Sequence, residues 1–348
     1  MKLLVILPGT PISPAQAAGN DVVELETLSE GKQRFYKAEL INNLQSVWAL
    51  QATGGIEVSI RSFSQRKNPL HLLKAGKEIK TLVKQLQPDA VYVFWGGMSG
   101  WVVSLCSKAP VVLCLLGSDL MGSYNATGEK TAFGRMLVFF SKLASARAKG
   151  VVVMSEKMKL LIASNKQHKV LVLPEGVDLK KFYPKDKMEC RQLLGWNEND
   201  AVVLFFNSGA YVKNAPLAKA AFQLVKEKNP QAVLVEVKNV PHGELINYYS
   251  AADLLLLTSY HEGSNNSIKE ALACNCPVVS TDAGDALQRL EGVHPSFCET
   301  TNASQLAGQM ETILANPQRS NGREKVAEVS VENVGTTLRA WLRQLLKT

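Results

Sequence analysis

Short apolar runs alternate along most of the chain with longer segments in which apolar residues recur at helical spacing. Each apolar run is bounded by glycine, proline or polar residues, as buried strands usually are. The predicted strands are residues 3–7, 56–60, 90–94, 111–115, 151–154, 170–173, 202–206, 233–237, 254–257 and 278–279. The predicted helices are residues 37–52, 66–84, 131–147, 216–226 and 244–251, one after residue 265 and one at the end of the chain. This alternation predicts an α/β protein built on parallel sheets.

The length and composition indicate two domains. With 348 residues and a hydrophobic content of 46%, the chain can form two separate cores. The first apolar run, residues 3–7, stops at Pro8 and is too short for an export segment, so it is predicted to be a strand. No apolar run in the sequence reaches the roughly eighteen residues of a membrane span. We therefore expect a cytoplasmic protein.

Charge is distributed unevenly along the chain. Residues 1–170 hold 21 Lys and Arg against 11 Asp and Glu, a balance of +10, and the remainder holds 18 against 20, which together give the net charge of +8. Much of the excess falls in the predicted helix at 66–84, where lysines surround the apolar positions Leu70, Leu73, Ile79 and Leu82. A basic amphipathic helix can make peripheral contact with an anionic membrane, and a solvated helix face is the alternative.

The basic residues do not predict nucleic-acid binding, because stacking aromatics are not interleaved with them and no nucleic-acid-binding motif occurs. The six cysteines are scattered through apolar surroundings, which predicts small buried side chains rather than a disulfide framework. Cys274 and Cys276 form a close pair, but a second pair or nearby histidines are missing. We therefore expect no metal and no other cofactor.

The most informative segment follows the predicted strand at 254–257. It begins His261-Glu262-Gly263-Ser264-Asn265-Asn266-Ser267 and continues into a helix that carries Glu270. Gly263 allows a tight turn, and Ser264, Asn265 or Ser267 can cap the helix, whose first amides would form an anion site. The two carboxylates, eight residues apart, are suited to accept hydrogen bonds from sugar hydroxyls rather than to bind phosphate. The segment therefore predicts a binding site for a nucleotide sugar.

Over about twenty residues this segment resembles the donor-binding signature of family 4 glycosyltransferases, E-x7-E followed by E-A-x-A-C-x-x-P-V-V. The resemblance implies that Glu262, a candidate catalytic residue, lies near the transferred sugar and that Glu270 binds the ribose. It implies that backbone amides of the intervening loop hold the diphosphate. These donor-binding residues are Gly263, Ser264, Asn265, Asn266 and Ser267. Family members retain the anomeric configuration and need no metal.

The same resemblance implies the overall architecture. We expect an α/β protein of GT-B architecture, with two Rossmann-like doubly wound domains facing across a cleft. The segment Pro174-Glu175-Gly176-Val177-Asp178, with Phe182 and Pro184 after it, resembles the family's crossover between domains. The implied domains are an acceptor-binding domain at 1–172, a nucleotide-sugar-binding domain at 173–330, and a terminal helix at 331–348 that crosses back to the first domain.

Loops at the carboxyl ends of strands in the first domain are candidates for the acceptor side, since open α/β sheets bind ligands there. The acceptor-side candidates are Gly9, Gly96, Gly97, Gly117 and Ser118. Gly117-Ser118-Asp119 resembles a family segment that often has a histidine before the glycine, where this chain has Leu116. Asp119 is a candidate catalytic residue, and capping of the following turn is its alternative role.

The loop after the predicted strand at 202–206 resembles the family segment that carries an arginine and a lysine for the donor diphosphate. Lys213 matches the lysine and is a candidate catalytic and donor-binding residue, whereas Ala210 stands at the arginine position. Lys157 or Lys238 are candidates to supply the missing charge. By the same resemblance, Val240 is a candidate contact for the nucleotide base.

The resulting hypothesis is a retaining, metal-independent glycosyltransferase that moves a sugar from a nucleotide-sugar donor to a hydroxyl of a glycan or lipid-linked acceptor. By the same resemblance, such enzymes usually act in surface glycan or polysaccharide biosynthesis. Two alternatives stay open at this point. One is an inactive paralogue that binds nucleotide sugar without transfer, suggested by Ala210 and Leu116, and the other is an epimerase or hydrolase on a similar scaffold.

Overall fold

The computed structural model describes residues 1–9, 22–28, 32–37, 47, 49–50, 54–64, 69–299 and 301–347. The chain divides into two compact units. The first unit comprises residues 1–123, 130–176 and 331–348, and the second comprises 124–129 and 177–330. The long segment of the second unit therefore begins after Gly176, and the short segment 124–129 is inserted between two parts of the first unit.

Thirteen strands lie within the described residues. They are β1 (Lys2–Gly9), β2 (Val22–Leu28), β3 (Lys32–Lys37), β4 (Glu57–Ser64), β5 (Ala90–Phe94), β6 (Val111–Leu115), β7 (Gly150–Val153), β8 (Val170–Val172), β9 (Ala201–Phe206), β10 (Ala232–Val237), β11 (Leu254–Leu257), β12 (Val278–Thr281) and β13 (Phe297–Glu299). The predicted strands at 90–94, 111–115 and 254–257 match the observed bounds.

The α-helices with complete bounds in the same part of the chain are α1 (Pro69–Leu86), α2 (Gly97–Cys106), α3 (Ser118–Met121), α4 (Ala132–Arg147), α5 (Glu156–Lys159), α6 (Lys187–Leu194), α7 (Ala215–Lys228), α8 (Leu245–Ala251), α9 (Asn266–Ala273), α10 (Ala286–Leu290), α11 (Ala303–Ala315), α12 (Gly322–Val326) and α13 (Val331–Lys347). Short 3-10 helices span Ser164–Lys169, Tyr211–Lys213, His242–Glu244 and Ala327–Val329. No helix among the described residues combines the length and apolar character that crossing a bilayer requires.

The first unit is organised around an eight-stranded sheet with the order β3-β2-β4-β1-β5-β6-β7-β8. β2 and β3 pair antiparallel, and the other neighbours pair in parallel. The central strands β5 and β6 are buried along their whole length, which explains their unbroken apolar sequences. Since β1, β5 and β6 are adjacent and parallel, their carboxyl ends lie at one edge of the sheet.

The second unit contains a parallel five-stranded sheet with the order β10-β9-β11-β12-β13. Helices α7 and α11 pack against each other beside this sheet. Their buried side chains form one core with the strands; the core includes Val203, Ala221, Leu256, Val279 and Met310. Both units are therefore α/β sheets with helical layers, and the alternation predicted from the sequence is confirmed.

The hairpin β2–β3 was not predicted. Its first strand has the alternating sequence Val-Glu-Leu-Glu, which is a period-two signal, but the segment is short and next to polar residues. Lys37 ends β3, so a helix beginning at this residue is wrong. Val47, Ala49 and Leu50 are helical, and residues 38–46, 48 and 51–52 of the predicted helix lie outside the described residues.

The apolar face predicted for the basic helix at 66–84 is partly wrong. In α1 the buried face consists of Ala75, Ile79 and Val83, whereas Leu73 is exposed. The helix is turned so that its apolar stripe contributes to the core of the first unit. Over residues 72–86 of α1, four lysines are exposed together with Leu73, so this side of the helix is mainly basic.

Helix α13, predicted from its apolar spacing, lies in the first unit. It buries Val334, Leu338 and Leu342. Two glycines permit its close packing: a Cβ on Gly150, the first residue of β7, would lie 2.6 Å from Trp341, and one on Gly335 would lie 2.6 Å from Ala49. The terminal helix is thus part of the core of the first unit.

A buried ion pair joins three elements of the second unit. Arg191 of α6 donates from Nη2 to Asp253 at 2.9 Å and from Nε to the carbonyl of Ala251 at 3.0 Å. The same carboxylate accepts from the amide of Val202 at 2.7 Å and from Lys187 at 2.5 Å. Since Arg191 is almost fully buried, it fixes α6 against the starts of β9 and β11.

Replacing Arg191 by Ala is expected to destabilise the protein by about 3–5 kcal/mol, because Asp253 would lose its fully buried partner. Lys187→Ala is the matched control, since it removes a half-exposed partner of the same carboxylate and should cost at most about 1 kcal/mol. Urea unfolding followed by circular dichroism measures both. Equal losses in the two variants would contradict this account of the buried pair.

Candidate active site

The loop between β11 and α9 holds most of the residues that the sequence singles out. Asn265 caps α9, because its Oδ1 accepts from the amide of Ser267 at 2.9 Å. Ser264 instead donates to Asp285 Oδ2 at 2.9 Å. Of the predicted capping residues, Asn265 therefore has this role. The first amides of α9 lie at the end of the loop, where the helix dipole is positive.

Glu270 is buried on α9 and both of its carboxylate oxygens have partners. Tyr249 donates its hydroxyl to Oε2 at 2.9 Å, and His242 Nε2 lies 2.7 Å from Oε1. Burial raises the pKa of Tyr249 well above its ordinary value, so the hydroxyl remains a donor. The position of the Glu270 carboxylate is thus set by two side chains from the preceding helical segment.

His242 is itself oriented by Lys181, whose Nζ lies 2.8 Å from Nδ1. An ammonium group can only donate, so Nδ1 accepts and Nε2 carries the proton that faces Glu270. The ring of Phe182 lies 5.2 Å from the imidazole, edge to face. Two consecutive hydrogen bonds therefore connect Lys181 to His242 and His242 to Glu270. The imidazole of His242 is partly exposed, and the carboxylate of Glu270 is buried.

Glu262 and Lys213 form the second polar centre of the loop. Lys213 Nζ lies 2.7 Å from Glu262 Oε1, and Ser259 donates to the same oxygen at 2.8 Å. The backbone of Lys213 is anchored as well, because Thr258 donates its hydroxyl to the Lys213 carbonyl at 2.9 Å. Asn214 follows with a left-handed φ of 49° and is buried. These contacts tie the 3-10 helix Tyr211–Lys213 to the end of β11.

The segment after β12 packs directly on the loop. A Cβ on Gly284, whose φ is +64°, would lie 2.7 Å from the carbonyl oxygen of Gly263. Asp285 is almost fully buried, and burial raises its pKa while Lys269, Ser264 and Arg289 oppose that shift. Asp285 also lies 3.3 Å from Arg289. Two contacts therefore fix the turn at Gly263. One is the close approach of Gly284 to the Gly263 carbonyl, and the other is the Ser264–Asp285 hydrogen bond.

Four ring side chains cluster beside Glu262. The rings of Tyr211 and Tyr260 stack with centroids 4.9 Å apart, and Tyr124 lies 6.3 Å from Tyr211 and 5.0 Å from His261. A Cβ on Gly128 would lie 2.4 Å from Tyr211, so this glycine lets residues 124–129 approach the ring. Residues 124–129 belong to the second unit, although the rest of that unit, residues 177–330, comes later in the chain.

Asp119, a catalytic candidate from the sequence, is fully buried in the first unit. Its carboxylate accepts from the amides of Gly96, Leu116 and Gly117 at 3.2, 3.0 and 2.8 Å. Burial raises its pKa, and these backbone hydrogen bonds oppose the shift. The geometry is that of a residue that fixes the loops after β5 and β6 to each other, with no exposed oxygen for a substrate.

The other acceptor-side candidates lie at the same edge of the first sheet. Gly9 ends β1, and Gly97 has a positive φ of 64° and donates its amide to Ser141 at 2.7 Å. Ser118 is exposed at the start of α3. The structure thus groups these residues in the first unit, and groups Glu262, Glu270 and Lys213 with their loop in the second.

The two candidates for the missing arginine charge lie in different units. Lys238 pairs with Glu236 at 3.3 Å, and Lys157 lies in α5 of the first unit. Val240, the predicted base contact, is half-buried just before the 3-10 helix that carries His242. Among the described residues no cluster of three or more His, Cys, Asp and Glu side chains has the arrangement of a metal site.

Sequence reasoning missed the residues that hold the two glutamates. Lys181, His242, Tyr249 and Ser259 carry no motif of their own, and their partners lie far away in the sequence. The one available signal was chemical, since a carboxylate on the buried face of a helix requires donors. That requirement predicts that partners exist without naming them.

Two family profiles match this sequence. Residues 218–316 match "Glycosyl transferases group 1", and residues 18–155 match "Glycosyl transferase 4-like". A curated relative, "Putative teichuronic acid biosynthesis glycosyltransferase TuaC" of Bacillus subtilis strain 168, is 29% identical over 71% of this chain and 67% of its own length. The chain spans about half the length of several further curated relatives.

Solved structures with the same fold include sucrose-phosphate synthase from Thermosynechococcus elongatus, with a TM-score of 0.73, 19% identity and coverage of 99% of both chains. Another is Anabaena Alr3699/HepE in complex with UDP, with a TM-score of 0.67, 16% identity and coverage of 99% of this chain and all of the other. At such identities these structures show the fold alone.

The two α/β units and these neighbours define the protein as one of GT-B architecture. The profile matches and the curated relatives together identify it as a glycosyltransferase of the family 4-like group.

The loop that carries Lys213 begins at Asn207, which Glu236 fixes through a hydrogen bond of 2.8 Å. The pKa of Glu236 is lowered from 4.5 to about 2, first by this hydrogen bond and then by Lys219 and Lys238, against partial burial, which raises it. Because the unfolded chain then binds a proton more readily than the native carboxylate, the stability that Glu236 contributes is complete above about pH 4.5 and is lost as the pH falls toward 2.

Glu236→Gln should therefore be less stable than the wild type near neutral pH, and the gap should narrow below about pH 4.5. Urea midpoints of both proteins, compared between neutral pH and about pH 3, measure this gap. A gap that stays constant over the whole range would contradict the assignment.

Proposed function

We propose that this protein is a retaining, metal-independent glycosyltransferase that transfers a sugar from a nucleotide-diphosphate donor to an acceptor hydroxyl. The observation that carries the proposal is the pair of carboxylates at the two ends of one loop, each held by its own partners. Glu262 is held by Lys213 and Ser259, and Glu270 by Tyr249 and His242. A surface loop would not need such fixed carboxylates.

In this proposal the nucleotide lies along the loop, with its ribose at Glu270. Carboxylate oxygens have more lone pairs than the two donors use, so Glu270 can accept ribose hydroxyls while Tyr249 and His242 keep it in place. The diphosphate lies at the first amides of α9, where the positive end of the helix dipole favours an anion. The base lies toward Val240, before the 3-10 helix of His242.

The chemical step depends on stabilising the leaving diphosphate. Lys213 supplies a fixed positive charge there, and the loop amides from Ser264 to Ser267 add hydrogen-bond donors to the charge that develops. The acceptor hydroxyl attacks on the face from which the diphosphate departs, and a diphosphate oxygen takes its proton. Glu262 lies by the transferred sugar and keeps Lys213 oriented through the 2.7 Å contact. No protein nucleophile is needed, and retention follows from attack on the departing face.

The proposed product is a surface glycan or polysaccharide, made on the cytoplasmic side. The name of the Bacillus subtilis relative, which refers to teichuronic acid biosynthesis, supports this class of product. The acceptor is accordingly a glycan or a lipid-linked sugar, and the acceptor-side loops of the first unit would contact it.

The donor site is tested by calorimetric titration of the wild type with UDP, GDP and ADP without added metal. One nucleotide should bind, and Glu270→Ala should weaken it by about tenfold or more, since hydrogen bonds to a charged group contribute about 1.5–3 kcal/mol. Glu311→Ala is the matched control, because Glu311 is in the same unit but pairs only at the surface with Lys228. It should bind nucleotide like the wild type.

Either of two results would contradict the donor site: binding of none of the three nucleotides, or unchanged affinity in Glu270→Ala. Binding without sugar transfer from the matching nucleotide sugar to any offered acceptor would instead identify a nucleotide-binding protein without turnover. Sugar release or isomerisation without acceptor would identify a hydrolase or an epimerase.

The role of Lys213 has a separate kinetic test. Lys213→Ala should lower kcat for nucleotide release from the donor by about 10²–10³-fold, as expected for loss of one group that stabilises the leaving charge. Lys213→Arg should recover part of this loss, and Lys228→Ala, which removes an exposed lysine of the same unit that pairs with Glu311, should leave kcat unchanged. A loss confined to KM would show that Lys213 binds donor without stabilising the transition state.

A further inference from the structure

Helix α4 of the first unit exposes three of its large apolar side chains to solvent. Phe133 is 49% exposed, Met136 is 43% exposed and Phe139 is 58% exposed. The ring of Phe140, which is half-buried, lies 5.3 Å from that of Phe139. These four residues form what we call the outer face of α4. Exposure of several neighbouring large apolar residues on one helix marks an interaction surface more often than isolated exposed residues do.

The inner face of the same helix consists of small residues. Its buried positions are Gly134, Ser141, Ala144 and Ser145. A Cβ on Gly134 would lie 2.5 Å from the backbone of Ser123, and Ser141 accepts the amide of Gly97 at 2.7 Å. The orientation of α4 is therefore fixed by close packing, and the helix cannot rotate to bury its phenylalanines. Three large apolar side chains of α4 are thus exposed, in contrast to the usual arrangement of a surface helix, whose apolar residues face inward.

Positive charge accompanies this outer face. Arg135 and Lys142 lie on α4, Arg147 ends it, and Lys130 comes just before it. The sequence of α4 contains no acidic residue. Apolar side chains that project from a helix with basic neighbours are the pattern of helices that lie in the interface of an anionic bilayer.

The charge pattern also argues against a second copy as the occupant. In a twofold dimer the same surface meets itself, so the arginines and lysines of two outer faces would be brought together. Anionic lipid headgroups would compensate these charges instead. The lysine-rich helix α1 is a poorer candidate for membrane contact, since its apolar stripe of Ala75, Ile79 and Val83 is buried in the core.

We propose that the outer face of α4 docks the protein on an anionic bilayer, with Phe133, Met136 and Phe139 inserted at the level of the headgroups and acyl boundary. Arg135 and Lys142 contact the lipid phosphates. The docking needs no part of the donor site, so it is independent of the glycosyltransferase proposal.

Sedimentation with lipid vesicles tests the docking. The wild type should bind vesicles of phosphatidylcholine with phosphatidylglycerol, and bind much less to phosphatidylcholine alone. The double variant Phe133→Ser/Phe139→Ser should lower partitioning to the anionic vesicles by about tenfold or more, because it removes two apolar side chains from the contact. Arg135→Gln/Lys142→Gln should weaken binding and reduce its dependence on salt.

The matched control is Leu193→Ser/Leu287→Ser, which removes two leucines of the second unit that are 67% and 58% exposed. It should sediment with vesicles like the wild type. Circular dichroism and nucleotide titration should be unchanged in all these variants, since the substituted side chains are largely outside the cores and the donor site. Loss of vesicle binding with intact nucleotide binding would support docking by α4.

Three results would overturn the proposal: equal binding of the wild type to neutral and anionic vesicles, no binding to either, or unchanged binding of the double phenylalanine variant. A fourth is a wild-type dimer in size-exclusion chromatography that the phenylalanine substitutions convert to a monomer. That result would make a second copy of the chain the occupant of the outer face.

Discussion

A buried carboxylate, Glu270, sets the main constraint on the second unit. Removing its charge from water is costly, and the cost is offset only if donors are held at both oxygens. Tyr249 and His242 meet this need, and both come from the helical segment between β10 and β11. The position of that segment, the tautomer of His242 and the contact with Lys181 all follow from one requirement. The loop between β11 and α9 then ends at a helix whose position is fixed.

The first unit solves a similar problem with Asp119. Its carboxylate gathers three amides from the loops after β5 and β6, so two loops of different strands behave as one rigid edge. The carboxylate that the sequence offers as a candidate for chemistry therefore has a positioning function here. In both units a buried carboxylate thus fixes the position of neighbouring segments.

Much of the fold could be predicted from the sequence, because unbroken apolar runs such as 90–94 and 254–257 indicate buried parallel strands. The cap at Asn265 and the loop of Glu262 were also accessible, since capping and turn chemistry are local. The hairpin β2–β3 and the rotation of α1 were not, because edge pairing and the choice of buried face depend on tertiary contacts. The partners of Glu270 were beyond reach for the same reason: Tyr249, His242 and Lys181 meet it only after the chain has folded.

Helix α13 gives the first unit an unusual assembly history. Its residues are synthesised after the whole second unit, yet Trp341 and Leu345 lie against Gly150 in the first sheet. During synthesis on the ribosome, this surface of the first unit stays uncovered until α13 has been made. The sequence of the second unit is already complete at that point. The unit that begins synthesis first is therefore the one that can finish folding last. Until α13 is synthesised, the surface of β7 at Gly150 lacks the side chains that cover it in the complete fold.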